Sequence, residues 1–345
     1  MFASRTRLPP VLPKQVALGA FLLAAACSSP RSAQTAGVPH LTKPAAPSST
    51  CLAARRTPLY YEVQGTPTRL AFVHASVNGT PPVLLLDSGA TDQALARWFA
   101  QQLHVETYSD TADVTIDHDG NRIVAQRARG VGLSLEGWGD VKADSATLVI
   151  DVPAVFADHG IGGILAPQLL RSAGQSLAID LAGGFLSLEP SECTTRQRRA
   201  LRDCEFSPEA LPTCAPGSKG IGPLFALPAV VGGVAASLVV DTGARETDLF
   251  VSSVAGRQLD GDPSRTPTTG YVASGDSPGF QVASVVITAG TCHFDGSVTL
   301  TSGASGNQCP RDGVLGIDLL RACELVVDDR GLSGTCGGAP TPLGR

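Results

Sequence analysis

The sequence predicts a mostly β protein with few short helices, in which one order of motifs occurs twice. Glycine and proline account for 38 and 25 of the 345 residues, against a single methionine. Punctuation this frequent suits many short strands better than long helices. Two apolar runs, VLLL before Asp87 and LVV before Asp241, have the pattern of strands buried on both faces. Around them the same order recurs: a turn dipeptide, the buried-type strand, Asp-Ser-Gly-Ala or Asp-Thr-Gly-Ala, a polar hairpin and a glycine-containing apolar segment. Asn78-Gly79 and Gly232-Gly233 lie 154 residues apart, as do Asp87 and Asp241, while GGILAPQLL (from 162) and DGVLGIDLL (from 312) lie 150 apart. A second copy shorter by four residues explains the drift.

In chain order, residues 1–26 read as an export signal. Arg5, Arg7 and Lys14 supply the positive region, and Val16 to Ala26 is an apolar run too short to span a bilayer as a mature helix. The small residues Ala24-Ala25-Ala26 before Cys27 resemble the lipobox of bacterial lipoproteins, where Leu is usual at the position of Ala24, so ordinary cleavage stays open. The resemblance implies cleavage before Cys27 and lipid on its thiol and amine. Ser28 after it implies the outer membrane, facing the periplasm, with membrane contact through the lipid anchor only. Residues 27–52 are rich in Ser, Pro, Ala and Thr and read as a flexible linker.

The first copy occupies residues 53–190. Asn78-Gly79 is a strong hairpin signal, Asp92 to Leu103 is expected to form a short helix, and residues 111–135 alternate as strands around the polar turn Asp117-His118-Asp119-Gly120. A strand pair is expected over 176–190. Residues 191–215 read as the connection, with an exposed helix in the charged patch TTRQRRALRDCE. The second copy, 216–340, repeats the order, with a hairpin tip at Ser274-Gly275-Asp276.

Nine cysteines become eight once Cys27 is set aside: Cys51, Cys193, Cys204, Cys214, Cys292, Cys309, Cys323 and Cys336. An even set in an exported chain suits four disulfides, although the count does not choose among pairings. Cys292 to Cys309 is the pairing expected to close a loop in the second copy. No C-x-x-C pair occurs, so a zinc site is disfavoured and no metal is expected. The formal net charge of -5 is spread along the chain, which excludes nucleic acid as an expected partner.

One Asp-Ser/Thr-Gly after an apolar run ends a strand at a turn and carries little by itself. Two of them, each after a buried-type strand, are different. A buried ionised carboxylate costs several kcal/mol unless it is paired or hydrogen-bonded, on the order of what a functional site justifies. LLLDSGAT and LVVDTGAR, with GGILAP and GVLGID downstream, resemble the aspartic proteases, over most of residues 65–335. The Ala after each Gly is more similar to the retropepsin-like branch than to pepsin. The resemblance implies two pepsin/retropepsin-like closed β-barrel lobes related by a pseudo-twofold axis, the lobes being 53–190 and 216–340. It implies Asp87 and Asp241 as the catalytic pair, with substrate held between the lobes under hairpin flaps. Ser88, Gly89, Thr242 and Gly243 are implied as active-site loop support, the hydroxyls cross-linking the loops and the glycines letting the backbone come close. A peptide or protein is the implied substrate, with no metal or organic cofactor. Both acids lie in one chain, so a monomer is expected; pairing of lobes between chains is the variant.

Ala90 and Ala244 lack the hydroxyl that would stabilise a charged carboxylate, which points to a milder pH optimum. Two features depart from the family pattern: Ala166 stands where the second copy has Gly316, and Arg245 follows Ala244 where Thr or Ser is usual. Either Arg245 pairs with a carboxylate of the dyad, or it faces solvent and Thr247 takes the usual place. The alternative to an endopeptidase is an inactive cell-envelope lipoprotein of the same bilobal fold that holds peptide without cutting it.

Other signals are weaker. Gly275-Asp276-Ser277-Pro278-Gly279 matches G-x-S-x-G, but QVASVVIT after it reads as a strand rather than the helix a nucleophile elbow needs. Asp117 to Asn121 has its Gly two residues too early for a calcium loop.

Overall fold

The computed structural model describes residues 55–116, 121–141, 147–191, 204–211, 223–272, 275–303 and 311–337. Residues 1–54, with the signal, the linker and Cys27, therefore lie outside the described residues, as do residues 117–120, 192–203 and 273–274, which take in the expected turn after Ile116, the charged patch up to Asp203 and Ser274 of the expected second hairpin tip. The described chain is mostly β, with four short helices at Arg97–Gln102, Ala154–Asp158, Val254–Asp260 and Ile317–Leu320.

The two runs before the aspartates become central strands, Val83–Leu86 and Val234–Val240. Each lies beside a parallel partner from its own half: Leu86 is opposite Leu165, and Val240 opposite Leu315. Leu84, Leu85 and Leu86 are all buried, as are Leu238, Val239 and Val240, which is the two-faced burial that an uninterrupted apolar run requires. The turn dipeptides sit where the pattern puts them, between Thr66–Val77 and Val83–Leu86 and between Leu224–Val231 and Val234–Val240.

Three sheets result. The first has ten strands, running 107–116, 122–128, 148–150, 94–96, 161–165, 83–86, 66–77, 133–135, 139–141, with 60–63 paired to 66–77. The second has eight, in the order 209–211, 224–231, 234–240, 313–315, 248–250, 292–301, 275–289, 266–272. Val230 and Val231 also pair with Thr288 and Ile287, which closes six of these strands into a ring. In both sheets the segment that crosses beside the aspartate strand needs a glycine. A Cβ at Gly163 would stand 2.1 Å from the Ala94 carbonyl oxygen, and one at Gly313 2.0 Å from that of Asp248.

The third sheet draws on both halves. Its order is 55–58, 185–190, 175–180, 323–328, 331–336, 204–206. The strand pair expected over 176–190 is present as Gln175–Asp180 and Phe185–Pro190. Beside it lies the matching hairpin of the second half, with Leu177 opposite Val327, Ala178 opposite Val326 and Ile179 opposite Leu325. One buried cluster accordingly contains Leu86, Leu177, Leu238 and Leu325.

Two expectations need correction. Asp92 to Leu103 is not one helix: Ala94–Ala96 is a buried strand, because it pairs with both 148–150 and 161–165, and the helix begins only at Arg97. Within the segment expected to connect the halves, Cys204–Phe206 joins the shared sheet and Glu209–Leu211 the second sheet. Cys292 pairs with Cys204 and not with Cys309, and a second disulfide joins Cys323 to Cys336. The reason is tertiary: Glu205 N–H donates to Thr291 Oγ1 (2.8 Å) and Thr291 N–H to the Glu205 carbonyl (2.9 Å), which sets Cys204 against Cys292 across 88 residues.

Candidate active site

Each motif aspartate leaves the end of its central strand with its amide tied to the parallel neighbour, Asp87 N–H to Leu165 O (3.0 Å) and Asp241 N–H to Leu315 O (3.1 Å). Each chain then turns back, Ala90 N–H donating to Asp87 O and Ala244 N–H to Asp241 O, both at 3.4 Å. Equal exits from equal strands bring the two loops face to face.

The loops are bolted together by the two hydroxyl residues. Ser88 N–H donates to Thr242 Oγ1 and Thr242 N–H to Ser88 Oγ, each at 3.0 Å. The hydroxyls donate onward to the carbonyls just before the opposite aspartates, Ser88 to Val240 O (2.8 Å) and Thr242 to Leu86 O (2.9 Å). Both side chains are buried. Ser88→Ala would orphan a buried N–H and a buried carbonyl, and is expected to lose about 1–3 kcal/mol for each in a denaturant titration. Ser88→Thr, with the hydroxyl that the second motif already uses, is expected to keep most of that stability.

The glycines complete the approach. A Cβ added at Gly89 would stand 2.5 Å from Cγ of Asp241, and one at Gly243 would stand 2.4 Å from Cγ of Asp87. Each carboxyl therefore lies directly over the glycine of the other motif, in space that any side chain would take. Asp87, Ser88, Gly89, Asp241, Thr242 and Gly243 are thus all in one place. Cys27 is outside the described residues.

Each carboxyl faces the backbone of its own turn. Asp241 Oδ1 accepts from the backbone N–H of Gly243 (2.8 Å) and of Ala244 (3.1 Å). Asp87 Oδ1 is buried with no partner among the described residues. Burial pushes the Asp87 carboxyl well above the usual carboxylate range; the charge of Asp241 and a hydrogen bond with it raise it further, and the backbone N–H groups of Gly89 and Ala90 oppose them.

A second layer supports the loops, and the sequence reading missed its first-half members. The side-chain amide of Gln93 clamps Ala166, donating to its carbonyl (3.1 Å) and accepting from its N–H (3.0 Å). At the equivalent place, Thr247 Oγ1 accepts from Gly316 N–H (3.0 Å) and donates to Asp318 Oδ1 (2.9 Å). Gln168 donates to the Ala90 carbonyl, and Ile317 N–H to that of Ala244 (2.9 Å). Gln93 and Thr247 are separated by the same 154 residues as the aspartates, the one signal that could have paired them. Burial raises the Asp318 carboxyl, against the hydrogen bonds from Thr247.

Both departures from the family pattern find a place here. A Cβ at Gly316 would stand 2.5 Å from the Glu246 carbonyl, whereas Ala166 is fully buried and held by Gln93. Arg245 is 66% exposed and its Nε lies 3.6 Å from Glu246 Oε1, so its charge is turned to solvent and to Glu246, and Thr247 occupies the supporting position.

Among the described residues, one group offers ligand atoms at metal-binding spacing, Cys204, Cys292 and Cys336, and all three sulfurs are in disulfides. A hollow on the second sheet lined by Val230, Leu259, Val282 and Val286 contains none of the motif residues.

Residues 73–167 match the family described as Aspartyl protease, a segment that includes Asp87 and the apolar crossing strand but not the second motif. No curated protein matches the chain. Among solved structures, the chain is similar to the aspartic proteinase from Irpex lacteus, at 14% identity and a TM-score of 0.43, over 84% of this chain and 99% of that one.

Proposed function

We propose that this chain is an aspartic endopeptidase that hydrolyses peptide bonds with a water activated by Asp87 and Asp241. The observation that carries the reading is the reciprocal packing of each carboxyl over the other motif's glycine, at positions a Cβ could not share. Two carboxyls so close cannot both ionise easily, and one proton serves the pair. Asp87, raised by burial and by its neighbour's charge, holds that proton, which leaves Asp241 to act as the base.

From this state the steps follow. Asp241 takes a proton from water as the oxygen attacks the peptide carbonyl, while the Asp87 proton polarises the carbonyl oxygen. The tetrahedral intermediate collapses when the proton now on Asp241 passes to the leaving amine nitrogen. No acyl-enzyme forms. Ser88 and Thr242 act by position only, because their hydroxyls are committed to Val240 and Leu86. One chain supplies both acids, so a monomer suffices.

Activity needs Asp87 protonated, so it is lost as pH rises through that group's raised value, and with no hydroxyl at Ala90 or Ala244 to stabilise a charged carboxylate the range expected is weakly acidic to neutral. The chain lacking residues 1 to 26, incubated with a denatured protein from about pH 3 to about pH 8, is expected to cleave it with a bell-shaped profile in that range. Cleavage confined to strongly acidic pH overturns the assignment of the proton. Absence of cleavage at every pH overturns the endopeptidase and favours a protein that holds peptide without chemistry.

A further inference from the structure

On the shared sheet, three cysteines stand in one row. Cys336 is opposite Cys323 on one side and opposite Cys204 on the other. Residues directly opposite in an antiparallel ladder point to the same face, so all three side chains share it. Gly337 N–H donates to Ala322 O, which brackets Cys323 and Cys336 as a non-hydrogen-bonded pair. Cys336 and Cys204 are then a hydrogen-bonded pair, with Cα atoms about 5.5 Å apart, inside the span a disulfide bridges. Cys292 approaches the row from the second sheet, and the sulfurs of Cys204, Cys292 and Cys336 all lie within 4.8 Å of one another. Cys292, Cys323 and Cys336 are buried, and Cys204 is partly exposed.

We propose that Cys204 is an exchange residue that passes between Cys292 and Cys336, and that a dithiol in solvent reaches the buried Cys323–Cys336 disulfide only through it. A dithiol thiolate attacks the accessible Cys204 sulfur and expels Cys292 as a thiolate, which takes up a proton. The second thiol of the reductant closes its own cyclic disulfide and releases Cys204 as a thiolate. That thiolate attacks the Cys336 sulfur, the Cys323–Cys336 bond breaks, and the electron pair leaves on Cys323, which is protonated. Two electrons enter from the dithiol, and the product holds one disulfide, Cys204–Cys336, with Cys292 and Cys323 as thiols. The covalent tie between the shared sheet and the second sheet is thereby exchanged for one within the shared sheet.

The folded chain is treated with one equivalent of dithiothreitol, quenched in acid, alkylated and mapped by mass spectrometry of unreduced peptides. The expected product joins Cys204 to Cys336, with Cys292 and Cys323 alkylated, and forms about tenfold faster for each unit of pH below the thiol range. A product alkylated at Cys204 and Cys292 with Cys323–Cys336 intact overturns the exchange. In the doubly substituted chain Cys204→Ala/Cys292→Ala, reduction of Cys323–Cys336 is expected to slow at least about tenfold, the route by exchange being absent. Equal rates overturn the relay, and should that variant not fold, the wild-type map alone decides the exchange.

Discussion

Asp87→Asn and Asp241→Asn are each expected to lower kcat by at least about a thousandfold, with little change in KM. The amide cannot carry the mobile proton, yet it fills the same space over the opposite glycine, so substrate binding and fold survive while the chemistry does not. The expectation extends to stability. Because the Asp87 carboxyl is raised in the folded chain, the folded state binds its proton more tightly than the unfolded state does. The stability this group contributes is full below the ordinary carboxylate range and is lost as pH rises from there through the raised value. An amide bears no such loss. Asp87→Asn is therefore expected to be more stable than the parent at neutral pH, by about 1–3 kcal/mol, with the difference shrinking toward acid. Thermal melts at several pH values check this, and a variant less stable at neutral pH contradicts burial as the source of the shift.

Gly243→Ala is expected to cost at least about a hundredfold in kcat, although it adds one methyl group and removes no catalytic group. Its Cβ would stand 2.4 Å from Cγ of Asp87 and 2.8 Å from both carboxylate oxygens, so the carboxyl must move away from Asp241. Separation weakens the repulsion that helps to hold Asp87 protonated. The residual activity is then expected to fall off at lower pH than in the parent, a displacement that general loosening of the loop does not produce. Gly89→Ala, 2.5 Å from Cγ of Asp241, is expected to behave alike. An alanine variant with the parental rate and profile contradicts the close packing of the pair.

Local features of the chain were legible because their causes are local. The uninterrupted apolar runs before Asp87 and Asp241 and the turn dipeptides follow from burial and turn chemistry, and the spacing of 154 residues aligns the halves. Partners chosen across the fold were not. A period of two says which side of a strand is buried, not which strand lies beside it, so the junction of 175–180 with 323–328 left no trace. Ala94–Ala96 reads as helical by propensity but is taken by two neighbouring strands. Nothing local distinguishes the buried Gln93 and Gln168 from surface glutamines, or shows that Arg245 turns away toward Glu246. Cysteine pairing fails for the same reason, since Cys204 meets Cys292 through a strand placed in the shared sheet.

The ladder at the centre of that sheet has a property of its own. Ser176-Leu177-Ala178-Ile179-Asp180 and Glu324-Leu325-Val326-Val327-Asp328 are counterparts 148 residues apart, and Ala178 lies opposite Val326, its own counterpart. Leu177 faces the counterpart of Ile179, and Ile179 the counterpart of Leu177. Pairing centred in this way is what a two-fold axis through the strands generates, so the edge is self-complementary. A protein made of one half alone would present that edge unpaired, and the partner it fits best would be another copy of itself. Fusion of the two copies turns a homodimer interface into an internal seam.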